Sequence, residues 1–125
     1  MQVYATDHLE SVDYAASLRD VLKADIEKAT RIRDLANEII VRNLSENGSL
    51  FHGNIREFTE SEETIGVFGE AIEILEKHQT VGALKDWCFD QFIRHHTLVS
   101  GGRTTHQMAA IADIARMARR GYPWR

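Results

Sequence analysis

Between Asp7 and Asn47 the chain contains neither proline nor glycine, and apolar side chains return every three or four residues throughout. Leu18, Leu22, Ile26, Ala29, Ala36, Ile40 and Leu44 carry the repeat, with Val21, Ile32, Leu35 and Ile39 beside them. That period puts them on one stripe of an α-helix. The spacing predicts a helix from about Asp7 to Glu46. Asp7 and Glu10 would open it as a capping box, and Asn47-Gly48 would stop it. Lys23–Glu27, Glu27–Arg31, Glu38–Arg42 and Arg42–Glu46 fall four residues apart with opposite sign, as solvated helix faces do. A helix of about 36 residues is about 54 Å long at about 1.5 Å per residue. That exceeds the diameter of a compact domain of 125 residues. Either the helix breaks, or it projects and its stripe shelters against a second polypeptide.

The remaining segments are shorter. Ser49 to Phe58 reads as a loop that packs down through Leu50, Phe51, Ile55 and Phe58. A second helix starts at Thr59 or Ser61, where early glutamates suit the positive end of the helix dipole. It buries Ile65, Phe68, Ala71, Ile72 and Leu75. Gly66 and Gly69 in its interior cost about 1 kcal/mol each relative to alanine, which a closely packed neighbour would offset. After a turn at Gln79–Gly82, a third helix runs from Ala83 to about Val99 and buries Leu84, Trp87, Cys88, Phe92 and Phe89. Ser100-Gly101-Gly102 breaks the chain. An alanine-rich fourth helix runs from about Thr104 to Arg120, and Gly121 with Pro123 ends it. The expected fold is all-α: an antiparallel bundle of about four helices with a long N-terminal helix, in one domain spanning 1–125.

Composition excludes several classes. One cysteine, Cys88, forms no internal disulfide, so a stapled secreted scaffold is out. No apolar run is long enough for a membrane span, and Met1 to Glu10 is mixed and acidic, unlike a signal peptide. A cytoplasmic location is the default expectation. The net charge of −4 conceals an asymmetry: residues 1–76 sum to about −9 and residues 77–125 to about +5. Glu57 to Glu76 contains no lysine or arginine. Glu60, Glu62, Glu63, Glu70, Glu73 and Glu76 therefore form a candidate acidic interaction face. Two readings follow: the acidic and basic helices neutralise each other, or one of them meets a charged partner.

Four constellations have chemical potential. Ser100-Gly101-Gly102 leads into a helix start with Arg103, Thr104, Thr105 and His106, and Arg94, His95 and His96 lie just upstream. Backbone N–H groups at such a start bind anions, although the P-loop lysine and the dinucleotide glycine spacing are both missing. The alternative is a plain helix connection with Thr104 or Thr105 as the cap. The C-terminal arginines with Tyr122 and Trp124 could grip phosphate and stack on a base. A pI near 5.8 disfavours nucleic acid as the partner. Cys88, His95, His96 and His106 lack the paired spacing of structural zinc sites.

The fourth constellation is the carboxylates Glu70 and Glu73, with Asp86 and Asp90 on the next helix. With Glu62-Glu63 and Tyr122-Pro123-Trp124, it resembles all-α nucleotide pyrophosphohydrolases of the MazG type, which carry Glu-x-x-Glu on one helix and Glu-x-x-Asp on the next. The resemblance implies Mg²⁺-dependent hydrolysis. It spans about twenty residues. The second element here is Asp-x-x-x-Asp, and no basic motif follows in register.

The function expected from the sequence is a non-enzymatic helical interaction or assembly subunit, a homo-oligomer or part of a larger protein assembly. No metal, cofactor or membrane enters that reading. Phosphate-ligand or nucleic-acid binding at Arg94–His106 is the alternative, and pyrophosphohydrolysis ranks below it.

Overall fold

The computed structural model describes residues 7–48, 52–97 and 102–121. These form four α-helices, α1 (Val12–Asn47), α2 (His52–His78), α3 (Val81–Thr97) and α4 (Thr105–Arg120), preceded by a single 3-10 turn at Asp7–Leu9. The helices pack on one another as an all-α bundle. No helix among the described residues is long and apolar enough to cross a membrane.

Helix α1 is unbroken but starts later than the apolar repeat suggests. Its N-cap is Ser11, whose hydroxyl accepts the Tyr14 N–H at 3.3 Å, so Asp7 and Glu10 are not its capping box. The chain before Ser11 turns aside because His8 is anchored elsewhere. Its Nε2–H donates to the Ala118 carbonyl at 2.6 Å, at the end of α4, and its ring meets Tyr14 edge-on. Gly121, at φ 78°, borders the same ring; a Cβ there would lie 3.0 Å from His8 Nδ1. Glycine thus serves both the left-handed stop and the close approach. Gly48 ends α1 in the left-handed helical conformation, φ 64° and ψ 21°, its N–H reaching the Leu44 carbonyl, whereas Gly121 combines its positive φ with an extended ψ of −175°.

Helix α2 starts at His52, so the segment read as a packed-down loop through Ile55 and Phe58 is helical. Thr59 and Ser61 sit inside the helix, with Ser61 buried. Leu50 and Phe51 lie outside the described residues. Continuing the helix gives the backbone of this apolar stretch internal partners that a loop would lack. Nothing packs within 4 Å of a Cβ built at Gly66 or Gly69. Their helix cost is therefore not offset by a close neighbour among the described residues, contrary to the expectation. The turn to α3 is only Gln79-Thr80, with Gln79 at φ 60° and the Thr80 hydroxyl accepting the Ala83 N–H.

Ion pairs show the helix directions. Lys23 reaches Glu76 and Arg33 reaches Glu62, so α1 and α2 run antiparallel. The pairings of opposite sign expected along α1 are replaced by these cross-helix bridges and by Arg19–Asp20 and Arg33–Asp34. The core joins Leu18 and Leu22 of α1, Val67, Ala71 and Leu75 of α2, Leu84 and Cys88 of α3, and Ile111 and Ile114 of α4. On α3, Trp87 is half-buried, but Phe89 and Phe92 are exposed at 68% and 38%. The Val81–Leu84–Cys88 stripe of α3 is buried in the core and Trp87 packs against it; Phe89 and Phe92 fall outside that stripe.

Lengths explain the shape. Helices α3 and α4 have 17 and 16 residues, about 25 Å each at about 1.5 Å per residue. Helix α1 has 36, about 54 Å. Beyond Ala36 no described side chain of α1 is buried, and none of α2 is buried before Ser61. Helices α1 and α2 continue past the four-helix core as a two-helix arm. Leu22→Ala should lower unfolding free energy by about 2–5 kcal/mol in urea melts, the cost of a cavity in a closed core. Leu35→Ala, on the exposed arm, should change it by less than about 1 kcal/mol.

Candidate interaction surface

Where α3 hands over to α4, the chain ties itself to α2. Arg103 donates through Nη1 and Nη2 to the two carboxylate oxygens of Glu70 at 2.9 and 2.8 Å, and through Nε to Gln91 Oε1 at 2.8 Å. Its guanidinium lies 5.8 Å from the Trp87 ring centroid. A planar fork on a carboxylate, stacked on an aromatic face, is a geometry that arginine satisfies and lysine does not. Thr104 caps α4 in a reciprocal box: its hydroxyl accepts the Gln107 N–H, and Gln107 accepts the Thr104 N–H. The same hydroxyl donates to Glu63, and His106 Nε2 and Thr64 Oγ1 are hydrogen-bonded at 2.9 Å.

The residues of the anion-binding reading are thus brought near one another, but their central donors go to acceptors of the protein itself. Arg94 is exposed and pairs with Asp90 at 2.8 Å. His95, His96 and Thr105 are exposed, and His95 lies against Gly102. Ser100 and Gly101 fall outside the described residues. The candidate acidic face is likewise divided among partners: Glu62 with Arg33, Glu63 with Thr104, Glu70 with Arg103 and Glu76 with Lys23. Glu73 is exposed and Glu60 lines a groove. Charge matching with neighbouring helices takes up Glu62, Glu70 and Glu76, and a hydroxyl takes up Glu63.

The carboxylates behind the pyrophosphohydrolase resemblance do not gather. Both oxygens of Glu70 hold Arg103, and Asp90 holds Arg94. Among the described residues, no three His, Cys, Asp or Glu side chains form a group able to hold a metal ion. Cys88 is a core residue, and burial pushes its thiol up to about 12.

Open apolar surface lies on α3, at Phe89, Phe92 and Ile93, and more extensively along α1. A groove of about 740 Å³ runs over α2 between α1 and α4. Ser61, Thr64 and Phe68 form its floor, Lys28, Ala29 and Ile32 one wall, and Arg116, Met117 and Arg120 the other, with Glu57 and Glu60 at its arm end. Beyond it the arm shows Ile32, Leu35, Val41 and Leu44 at 46, 56, 53 and 48% exposure. At about 100° per residue, Ile32, Leu35 and Ile39 share one flank of α1 and Val41 and Leu44 the other. Sequence reasoning identified the stripe but missed the groove, whose walls come from helices far apart in the chain. The one local signal was that α1 carries more apolar positions than a single seam against α2 needs.

No family model, curated protein or solved structure matches this chain.

Arg103→Lys should lower stability by about 1 kcal/mol. Charge-assisted pairs contribute about 1.5–3 kcal/mol, reduced here because Glu70 is half exposed; Glu70→Gln in the same background should add little, since both changes break one contact. The Cys88 thiol should resist modification at pH 8 in the folded chain and react rapidly in denaturant. Because the folded chain holds its proton from the ordinary value of 9.0 up to about 12 while the unfolded chain releases it, stability should fall as pH rises above about 9.

Proposed function

We propose that this chain is a non-enzymatic helical interaction subunit that assembles through the apolar surface of its α1 arm. The observation behind this reading is the run of large aliphatic side chains, Ile32 to Leu44, left about half exposed on an unbroken helix that outlasts its own core. Isolated surface leucines need no explanation, but aliphatic side chains repeated along both flanks of one helix, Ile32, Leu35 and Ile39 on one and Val41 and Leu44 on the other, mark a contact surface. The reading is also supported by the internal use of the polar groups. Arg103, Thr104 and His106, the centre of the phosphate reading, serve as ties between α2 and α4. Residence in a reducing compartment, the cytoplasm, suits the single buried thiol.

A second copy of the chain is the partner this reading takes first, since an exposed stripe on a helix is readily self-complementary about a two-fold axis. Sedimentation equilibrium of the purified chain should show reversible association that persists in high salt, because apolar burial is not screened. Leu35→Lys should shift it to monomer without loss of helicity. A strict monomer at every concentration and salt would reject self-assembly.

A further inference from the structure

One flank of α1 carries Lys28, Ile32, Leu35, Ile39, Arg42 and Glu46, spaced four, three, four, three and four residues apart. That spacing keeps all six on one face over about 27 Å. It is also symmetric about Asn37: Lys28 and Glu46 are equally far from it, as are Ile32 and Arg42, and Leu35 and Ile39. When two copies of a helix pack antiparallel about a two-fold axis, residues equidistant from the axis meet. Lys28, Arg42 and Glu46 are all exposed, and among the described residues none of them closes an ion pair within the chain.

We infer that two copies pair antiparallel along this flank, with the axis at the level of residue 37 on the side of α1 opposite the Asn37 side chain, and the tip of each arm lying in the other copy's groove. The inference rests on the self-assembly reading above and adds its direction and register. Leu35 packs on Ile39 of the second copy at the centre. Lys28 faces Glu46, twice per dimer. The Arg42 stem covers Ile32 of the second copy, and its guanidinium comes to the arm end of that groove.

The groove has the charges to receive the tip. Glu57 and Glu60 stand at its arm end, because α2 runs antiparallel to α1. Arg116 and Arg120 stand toward its other end, because α4 starts beside Thr64 and runs away from the arm; Asp25 and Asp113 also line the groove, and Asp113 pairs with Arg116. An entering arm presents Arg42 to the glutamates and Glu46 to Lys28 and Arg120, the groove cations that close no ion pair among the described residues. The negative C-terminal end of its helix dipole adds to the second contact. A parallel pairing would set Lys28 against Lys28 and Glu46 against Glu46, with like charges in contact.

The test combines cross-linking with charge exchange on the full chain. In one molecule, residues 28 and 46 lie about 27 Å apart on a single rigid helix, too far for a disulfide. Lys28→Cys with Glu46→Cys should therefore give a covalent dimer on oxidation. Neither single variant should do so, and Cys88 is buried. Lys28→Glu should weaken association about tenfold, and Lys28→Glu with Glu46→Lys should restore it. Should the unmodified chain associate while the double cysteine variant stays uncross-linked and the charge exchange restores nothing, the antiparallel register is overturned and self-assembly stands. If the unmodified chain is monomeric, both readings fall together.

Discussion

The organising constraint of this molecule is a mismatch of lengths. Helix α1 has 36 residues, α2 has 27, and α3 and α4 about half the length of α1. Four helices enclose a core only over the span they share. Within it Leu18 and Leu22 lose all contact with solvent; past Ala36 the same helix keeps its apolar repeat with no described side chain buried. Two helices bury one seam between them and leave both outer flanks in water. The groove, the arm and the exposed aliphatic strip are consequences of that single fact.

Polar chemistry in the described residues is directed inward, to hold the short helices against the long ones. The Arg103 fork on Glu70, stacked over Trp87 and tied to Gln91, joins the start of α4 to α2 and α3 at one point. Thr104 and His106 repeat the tie one turn later through Glu63 and Thr64. At the opposite end, His8 closes the bundle by reaching the last turn of α4. Acidic α2 is the surface on which Arg103, Arg33 and Lys23 settle, and of these only Arg103 comes from the basic half of the chain.

The sequence was informative where a signal is local and misleading where it depends on neighbours. The stops at Gly48 and Gly121 and the cap at Thr104 were legible, because each depends on residues within one turn. The start of α2 was not: Thr59 and Ser61 have the composition of a cap, but Ile55 and Phe58 carry the helix back to His52, and tertiary packing outweighs a capping preference of about 1 kcal/mol. Phe89 and Phe92 read as core from hydrophobicity alone, while their exposure depends on which flank of α3 has a neighbour. Close packing at Gly66 and Gly69 was a fair expectation from their cost, and the space beside them is open among the described residues.

What the chain settled by itself is the helical class, the unbroken length of α1 and the excess of apolar positions on it, since periodicity and the lack of proline and glycine act through the backbone of each segment alone. Tertiary structure alone decided that Arg103 faces a carboxylate of its own protein, that the carboxylates of α2 and α3 stay apart, and that a groove opens between α1 and α4. Those outcomes require residues dozens of positions apart to be placed within a few ångströms, and no local repeat encodes which flanks of four helices will meet.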